Sequence, residues 1–96
     1  MARGEDDPGN DGHRARMRRR LAEGGAEGFL DHELLEYLLA LVTPRRDTKP
    51  LAKQLIAEFG SLAAVLSAEP ARLAGVQGLG ETGIAAIKFV QAAAVR

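Results

Sequence analysis

Residues 76–88 read V-Q-G-L-G-E-T-G-I-A-A-I-K. Gly78 and Gly80 bracket a single apolar residue, Leu79. An apolar segment leads in and a helix-forming segment leads out. This spacing predicts a tight turn that feeds directly into a helix, with Leu79 plugging the turn into the core. Glycine at both positions permits positive φ and leaves room for close approach of another group to the backbone. The first amides of a helix have no intrahelical acceptor, and the helix dipole adds partial positive charge there. Such a turn suits a phosphate group. It touches no base, so the ligand it implies is a nucleic-acid backbone rather than a sequence. The expected donors are the amides of Gly78, Leu79, Gly80, Glu81 and Thr82, with the Thr82 hydroxyl added. The plainer alternative is an αα-hairpin with glycine turn residues and no ligand.

Working outward, every other segment reads as helix or turn, and no alternating strand pattern occurs. Residues 1–12 are rich in Gly, Pro and Asp and read as a disordered tail. A helix is expected from His13 to Glu23, with Met17 and Leu21 facing inward, the arginines outward, and Gly24-Gly25 as its end. Asp31 reads as the N-cap of a second helix whose interior is L-L-E-Y-L-L-A-L-V. Its apolar residues cover most of the circumference, so burial on nearly all sides is expected. Thr43-Pro44 closes it. Asp47 or Thr48 caps a third helix with Leu51, Leu55, Ile56 and Phe59 on one face. Gly60 and Ser61 lead into a short fourth helix, and Glu69-Pro70 opens a fifth. The last helix runs from about Glu81 through Ile84, Ile87 and Val90 or Phe89. The fold class is all-α: a compact bundle of five to six short helices over residues 13–96, ending in a helical hairpin at about 70–95.

Ninety-six residues make one small domain. No cysteine is present, which removes disulfides and thiolate metal sites. No apolar run approaches the ~20 residues that span a bilayer, and residues 1–20 hold no apolar signal core. A soluble, cytoplasmic protein with no membrane partner is expected. The formal net charge is zero, but it is unevenly spread. Arg3 against Glu5, Asp6, Asp7 and Asp11 leaves −3 in residues 1–12, so the remainder carries +3. Arg14, Arg16, Arg18, Arg19 and Arg20 form one basic block, and Arg45, Arg46, Lys49 and Lys53 a second. Five arginines within seven residues repel one another, and a phosphate partner relieves that repulsion. A solvated helix face is the alternative, and for the second block helix capping with an Asp47 ion pair.

Catalysis is not indicated. His13 and His32 fit no metal-ligand spacing and read as surface residues. Ser61 and Ser67 read as capping residues. Glu33 and Glu36 lie three apart on one helix face and read as solvated charges. No enzyme, cofactor or metal is expected.

The glycine hairpin resembles the helix-hairpin-helix motif of DNA-repair proteins. Four longer strings, G-H-R-A-R-M-R-R-R-L at 12–21, E-G-G-A-E-G-F-L-D-H-E-L-L-E at 23–36, P-R-R-D-T-K-P-L-A-K at 44–53 and F-G-S-L at 59–62, look like the N-terminal domain of RadC-like proteins. The resemblance covers residues 12–96. It implies a non-catalytic, non-sequence-specific DNA-backbone-binding module linked to DNA repair. In that family the helical domain precedes a JAB/MPN-type metalloprotease-like domain with an H-x-H and Asp pattern. No such pattern occurs here, so metal-dependent activity does not carry over. Two positions depart from the hairpin pattern. Gly83 stands where such hairpins place a lysine or arginine that reaches phosphate, and Ile84 where a small alanine is usual. Glu81 adds a negative charge beside the hairpin, and Lys88 alone restores a positive one on the second helix. Binding is expected to be weak and salt-sensitive, at Gly78, Leu79, Gly80, Glu81, Thr82 and Lys88, with Arg14, Arg16, Arg18, Arg19, Arg20, Arg45 and Arg46 as auxiliary charge. The rival reading is a protein docking or dimerisation domain that positions the missing JAB/MPN-type domain.

Overall fold

The computed structural model describes residues 8–96 as six helices, with no strand among the described residues. These are α1 (Pro8–Gly24), α2 (Asp31–Val42), α3 (Lys49–Phe59), α4 (Leu62–Ser67), α5 (Pro70–Ala74) and α6 (Glu81–Val95). The tail expected over residues 1–12 lies outside the described residues as far as residue 7. From Pro8 onward the chain already belongs to α1, earlier than the expected His13 start. Proline suits a first helical turn, because the N–H it lacks has no partner there.

The pattern of small and large apolar residues sets the packing. α2 touches α1, α3, α4 and α6, which makes it the central helix. Leu35 and Leu39 of α2, Leu55 of α3, Val65 of α4, Leu73 of α5 and Ile87 of α6 are essentially inaccessible to solvent and form one core. Truncating one such leucine to alanine costs about 2–5 kcal/mol. The expected burial of α2 on nearly all sides is not what forms. Leu41 stays 61% exposed, and Leu38 and Val42 are only half-covered. Among its described side chains α1 buries only Met17 deeply, and Leu21, one turn on and also expected inward, is only half-covered.

Local chemistry places the turns. Gly25 at the end of α1 has φ 76° and donates to Leu21 O at 3.1 Å. The N-cap of α2 is Leu30, one residue before the expected Asp31. Glu33 Oε1 accepts from the Leu30 amide at 2.9 Å, so α2 closes its own first turn. Asp31 is thereby released to reach α4, where its Oδ2 accepts from Leu62 N–H at 2.9 Å. At α3 the backbone cap is Thr48, but the side-chain acceptor is Asp47, whose Oδ1 takes Lys49 N–H at 3.1 Å. Gly60 ends α3 at φ 105°, a conformation that favours glycine. Ser61 Oγ then accepts from Ala64 N–H at 3.1 Å and starts α4.

Candidate functional site

The turn between α5 and α6 is built from its glycines upward. Gly78 has φ 94°, as expected of a left-handed turn residue. Leu79 N–H donates to Val76 O at 3.1 Å, and the Leu79 side chain is buried. Gly80 departs from expectation: φ −95° and ψ −174° are extended backbone, not positive φ. The physical reason is its position, because Gly80 is the N-cap of α6 and N-caps adopt extended backbone. A Cβ at 80 would meet nothing within 4 Å, so the protein's own packing and backbone make no demand for glycine there.

Gly83 has a third role. A Cβ at this position would lie 2.6 Å from Leu79 Cδ1 and 3.5 Å from Leu39 Cδ2. The residue is buried. It lets α6 press onto the turn and onto α2, so a long cation at 83 would begin inside the packing.

The first turn of α6 is left without a side-chain partner. Gly80 makes no side-chain cap, and the first helical bond is Ile84 N–H to Gly80 O at 3.0 Å. Among the described residues, the amides of Glu81, Thr82 and Gly83 have no protein acceptor. Their residues border a concave cavity of about 190 Å³ whose polar lining includes Thr43, Arg46, Glu81 and Thr82 beside the three glycines, with Leu39, Leu51 and Leu79 among the walls. Arg46 is the cation of this cavity. Its Nη1 donates to Gly78 O at 2.9 Å, across 32 residues of sequence. The structure thus sets a guanidinium beside the open amides, where Gly83 supplies none. Glu81, exposed in the first turn, brings the opposing charge.

The remaining basic residues divide. The Arg14 guanidinium turns inward, against the outward orientation expected for α1, and donates to Pro44 O and Arg46 O. Arg20 stacks on Phe29, 4.0 Å from the ring centroid. Arg16, Arg18, Arg19 and Arg45 are exposed. Lys88 is not part of the hairpin cavity. Its Nζ donates to Leu66 O at 2.7 Å and Ala68 O at 2.8 Å, holding α6 to the end of α4. Carbonyls at a helix C-terminus carry partial negative charge, which draws the ammonium there.

Two expectations for acidic and histidine residues need correction. Glu36 is 1% exposed, not solvated, and its Oε2 lies 3.0 Å from His13 Nε2. The distance is that of an ion pair, but the contact is not aligned as a hydrogen bond. Glu33 serves the α2 N-terminus rather than solvent. The helical period could have located Glu36, because it shares a face with Leu35, Leu39 and Ala40. No group of three or more His, Cys, Asp or Glu able to hold a metal exists among the described residues. No described helix is long and apolar enough to cross a membrane.

A second surface feature was not expected. α2 and α6 leave an apolar groove of about 720 Å³ between Leu38, Leu41 and Val42 on one side and Ala85, Ala86, Phe89 and Val90 on the other. Phe89, expected as an alternative core residue, is 72% exposed at its rim.

Comparison with known proteins finds similarity to UPF0758 proteins. The chain is 50% identical over 80 residues to a UPF0758 protein of Rhodobacter capsulatus, covering 83% of this chain and 37% of that protein. It is 42% identical over 81 residues to one of Fusobacterium nucleatum, covering 84% and 35%. It is 46% identical over 84 residues to one of Ruegeria pomeroyi, covering 88% and 38%. The chain therefore spans little more than a third of the length of the curated relatives it matches. UPF0758 proteins are the RadC family, and the label states no activity. No family model and no solved structure matches the chain.

Proposed function

We propose that this chain is a non-catalytic module that binds the DNA backbone in the cytoplasm without reading sequence. In this reading it is the N-terminal helical part of a RadC-like, repair-linked protein, and residues 70–95 act as a helix-hairpin-helix. One observation carries the reading: the residues whose first-turn amides are unpartnered in α6 line the same cavity as Arg46. A phosphate seated there would accept from the amides around Glu81 and Thr82 and pair with the guanidinium. No base edge is needed, so affinity is expected to be similar across sequences. The test is fluorescence anisotropy of labelled duplex, single-stranded and branched DNA over a salt series. Salt-dependent binding with a slope of about −0.9 per phosphate supports the proposal. No binding by the wild-type chain at low salt sinks it.

A second reading has its own observation, the apolar groove with Leu41 and Phe89 exposed on its two sides. Apolar patches of this kind mark docking surfaces. The relatives are long enough to hold a further domain, and a JAB/MPN-type domain is the occupant the resemblance suggests. Under this reading, size-exclusion with light scattering detects a dimer or a complex, and DNA is not retained.

A further inference from the structure

We infer that Arg14 is a positioning residue for the hairpin site, an inference that rests on the reading of that site as a phosphate cradle. The connection between α2 and α3 carries Arg46, and its two ends are fixed locally. Thr43 donates its amide and hydroxyl to Leu39 O, and Thr48 Oγ1 donates to Glu36 O at 2.8 Å. The middle has one local bond, Arg46 N–H to Thr43 O at 3.2 Å, and a second hold from outside. The Arg14 guanidinium reaches from α1 to Pro44 O with one nitrogen and to Arg46 O with the other. Arg46 in turn reaches forward to Gly78 O. Three elements distant in sequence are thus joined in series: α1, the α2–α3 connection and the hairpin.

The joint uses two nitrogens of one planar group, unlike Lys88, whose single Nζ holds both of its carbonyls. A guanidinium presents several N–H donors in a fixed plane and can hold two carbonyls at once, while an ammonium is a point charge on a flexible stem. The Arg14 side chain is only half-exposed, and its helix is seated beside it by buried Met17 and by the His13–Glu36 contact. With the backbone at 44 and 46 clamped, the Arg46 side chain starts from a set place and loses less freedom when it meets a phosphate. With the clamp gone, Arg46 keeps its charge and its local turn bond to Thr43 O but is held less firmly. Arg14 therefore acts on the ligand through Arg46, whereas exposed Arg18 acts through charge alone.

Arg14→Lys separates the two roles, because it keeps the charge and removes the fork. The experiment compares wild type, Arg14→Lys, Arg96→Lys, Arg46→Ala and Arg14→Lys/Arg46→Ala, each confirmed as folded by circular dichroism and thermal melting. Binding of a fluorescein-labelled duplex is measured at low salt. Amide NMR spectra of the free proteins report Gly78 and Leu79 directly. Arg14→Lys is expected to weaken binding about three- to tenfold and to shift the Gly78 and Leu79 amide signals. Arg96→Lys, at an exposed residue outside the site, is expected to do neither. In the Arg46→Ala background the Arg14→Lys effect is expected to vanish, as coupled residues require. Wild-type affinity and unmoved hairpin signals in Arg14→Lys would overturn the inference. An equal loss with and without Arg46 would overturn it too. If the wild-type chain binds no DNA, the phosphate reading fails by itself. The positioning of Arg46 is then judged on the amide signals, which must still move in Arg14→Lys.

Discussion

Two glycine turns in this molecule start helices in opposite ways. At the α3–α4 turn, Gly60 has positive φ and α4 follows at once. Two of its first three amides are satisfied by the protein itself, Ala64 N–H by Ser61 and Leu62 N–H by Asp31 of α2. At the α5–α6 turn, Gly78 has positive φ and α6 follows, but no side chain caps it. Arg46 and Glu81 both line the cavity there, and neither side chain caps the helix. The two turns share a backbone device and differ in whether an acceptor is supplied. A capped turn is a finished piece of structure, whereas the uncapped one leaves donors and a cation facing an opening. Neither glycine pattern alone separates the two; the acceptor does.

The most forceful way to break the contrast is to make the second turn resemble the first. Gly80→Asp places a carboxylate at the N-cap of α6, in extended backbone and with open space around it. It is expected to raise thermal stability by only about a few tenths of a kcal/mol through capping, because glycine is itself a fair N-cap. It is also expected to lower DNA affinity more than about tenfold, because the cap and repulsion replace the phosphate. Calorimetry and anisotropy on the same sample check both signs. Arg46→Ala tests the cation rather than the amides. Affinity should fall about three- to tenfold, and the log–log salt slope should become shallower by about one. Ser61→Ala damages the capped turn. It is expected to cost about 1 kcal/mol in denaturant unfolding while leaving DNA affinity unchanged. A fall in affinity there would mean the two turns are not independent. Glu81→Gln sharpens the charge account with the smallest effect. It should strengthen binding about twofold at low salt, and the gain should disappear at high salt.

The helices and their turns were legible because local chemistry decides them. Gly60, Ser61, Glu69-Pro70 and Gly78 act within a few residues of where they sit, and the leucines of α2 follow the helical period. What failed was mostly long-range. Arg46 meets Gly78 across 32 residues, Lys88 meets Ala68 across 20, and Asp31 meets Leu62 across 31. Side-chain reach to distant carbonyls and amides leaves no periodic trace. The three basic residues Arg14, Arg46 and Lys88 look alike in sequence, yet one clamps a connection, one lines a cavity and one caps a helix end. The exposure of Leu41 was hidden for another reason. A helix apolar all round announces that it needs cover, but not how much of that cover its own chain provides. Glu36 was within reach, since its register already placed it with the core leucines.

Gly78, Gly80 and Gly83 answer to three separate demands: a dihedral angle, an open doorway and a contact distance. They should therefore drift apart during evolution. A lineage that stops using the doorway loses only the second demand. Such a lineage is expected to keep glycine at 78 and 83 and to accept serine, aspartate or asparagine at 80. Position 80 then serves as a marker, readable from sequence alone, that sorts ligand-holding homologues from those that retain only the architecture.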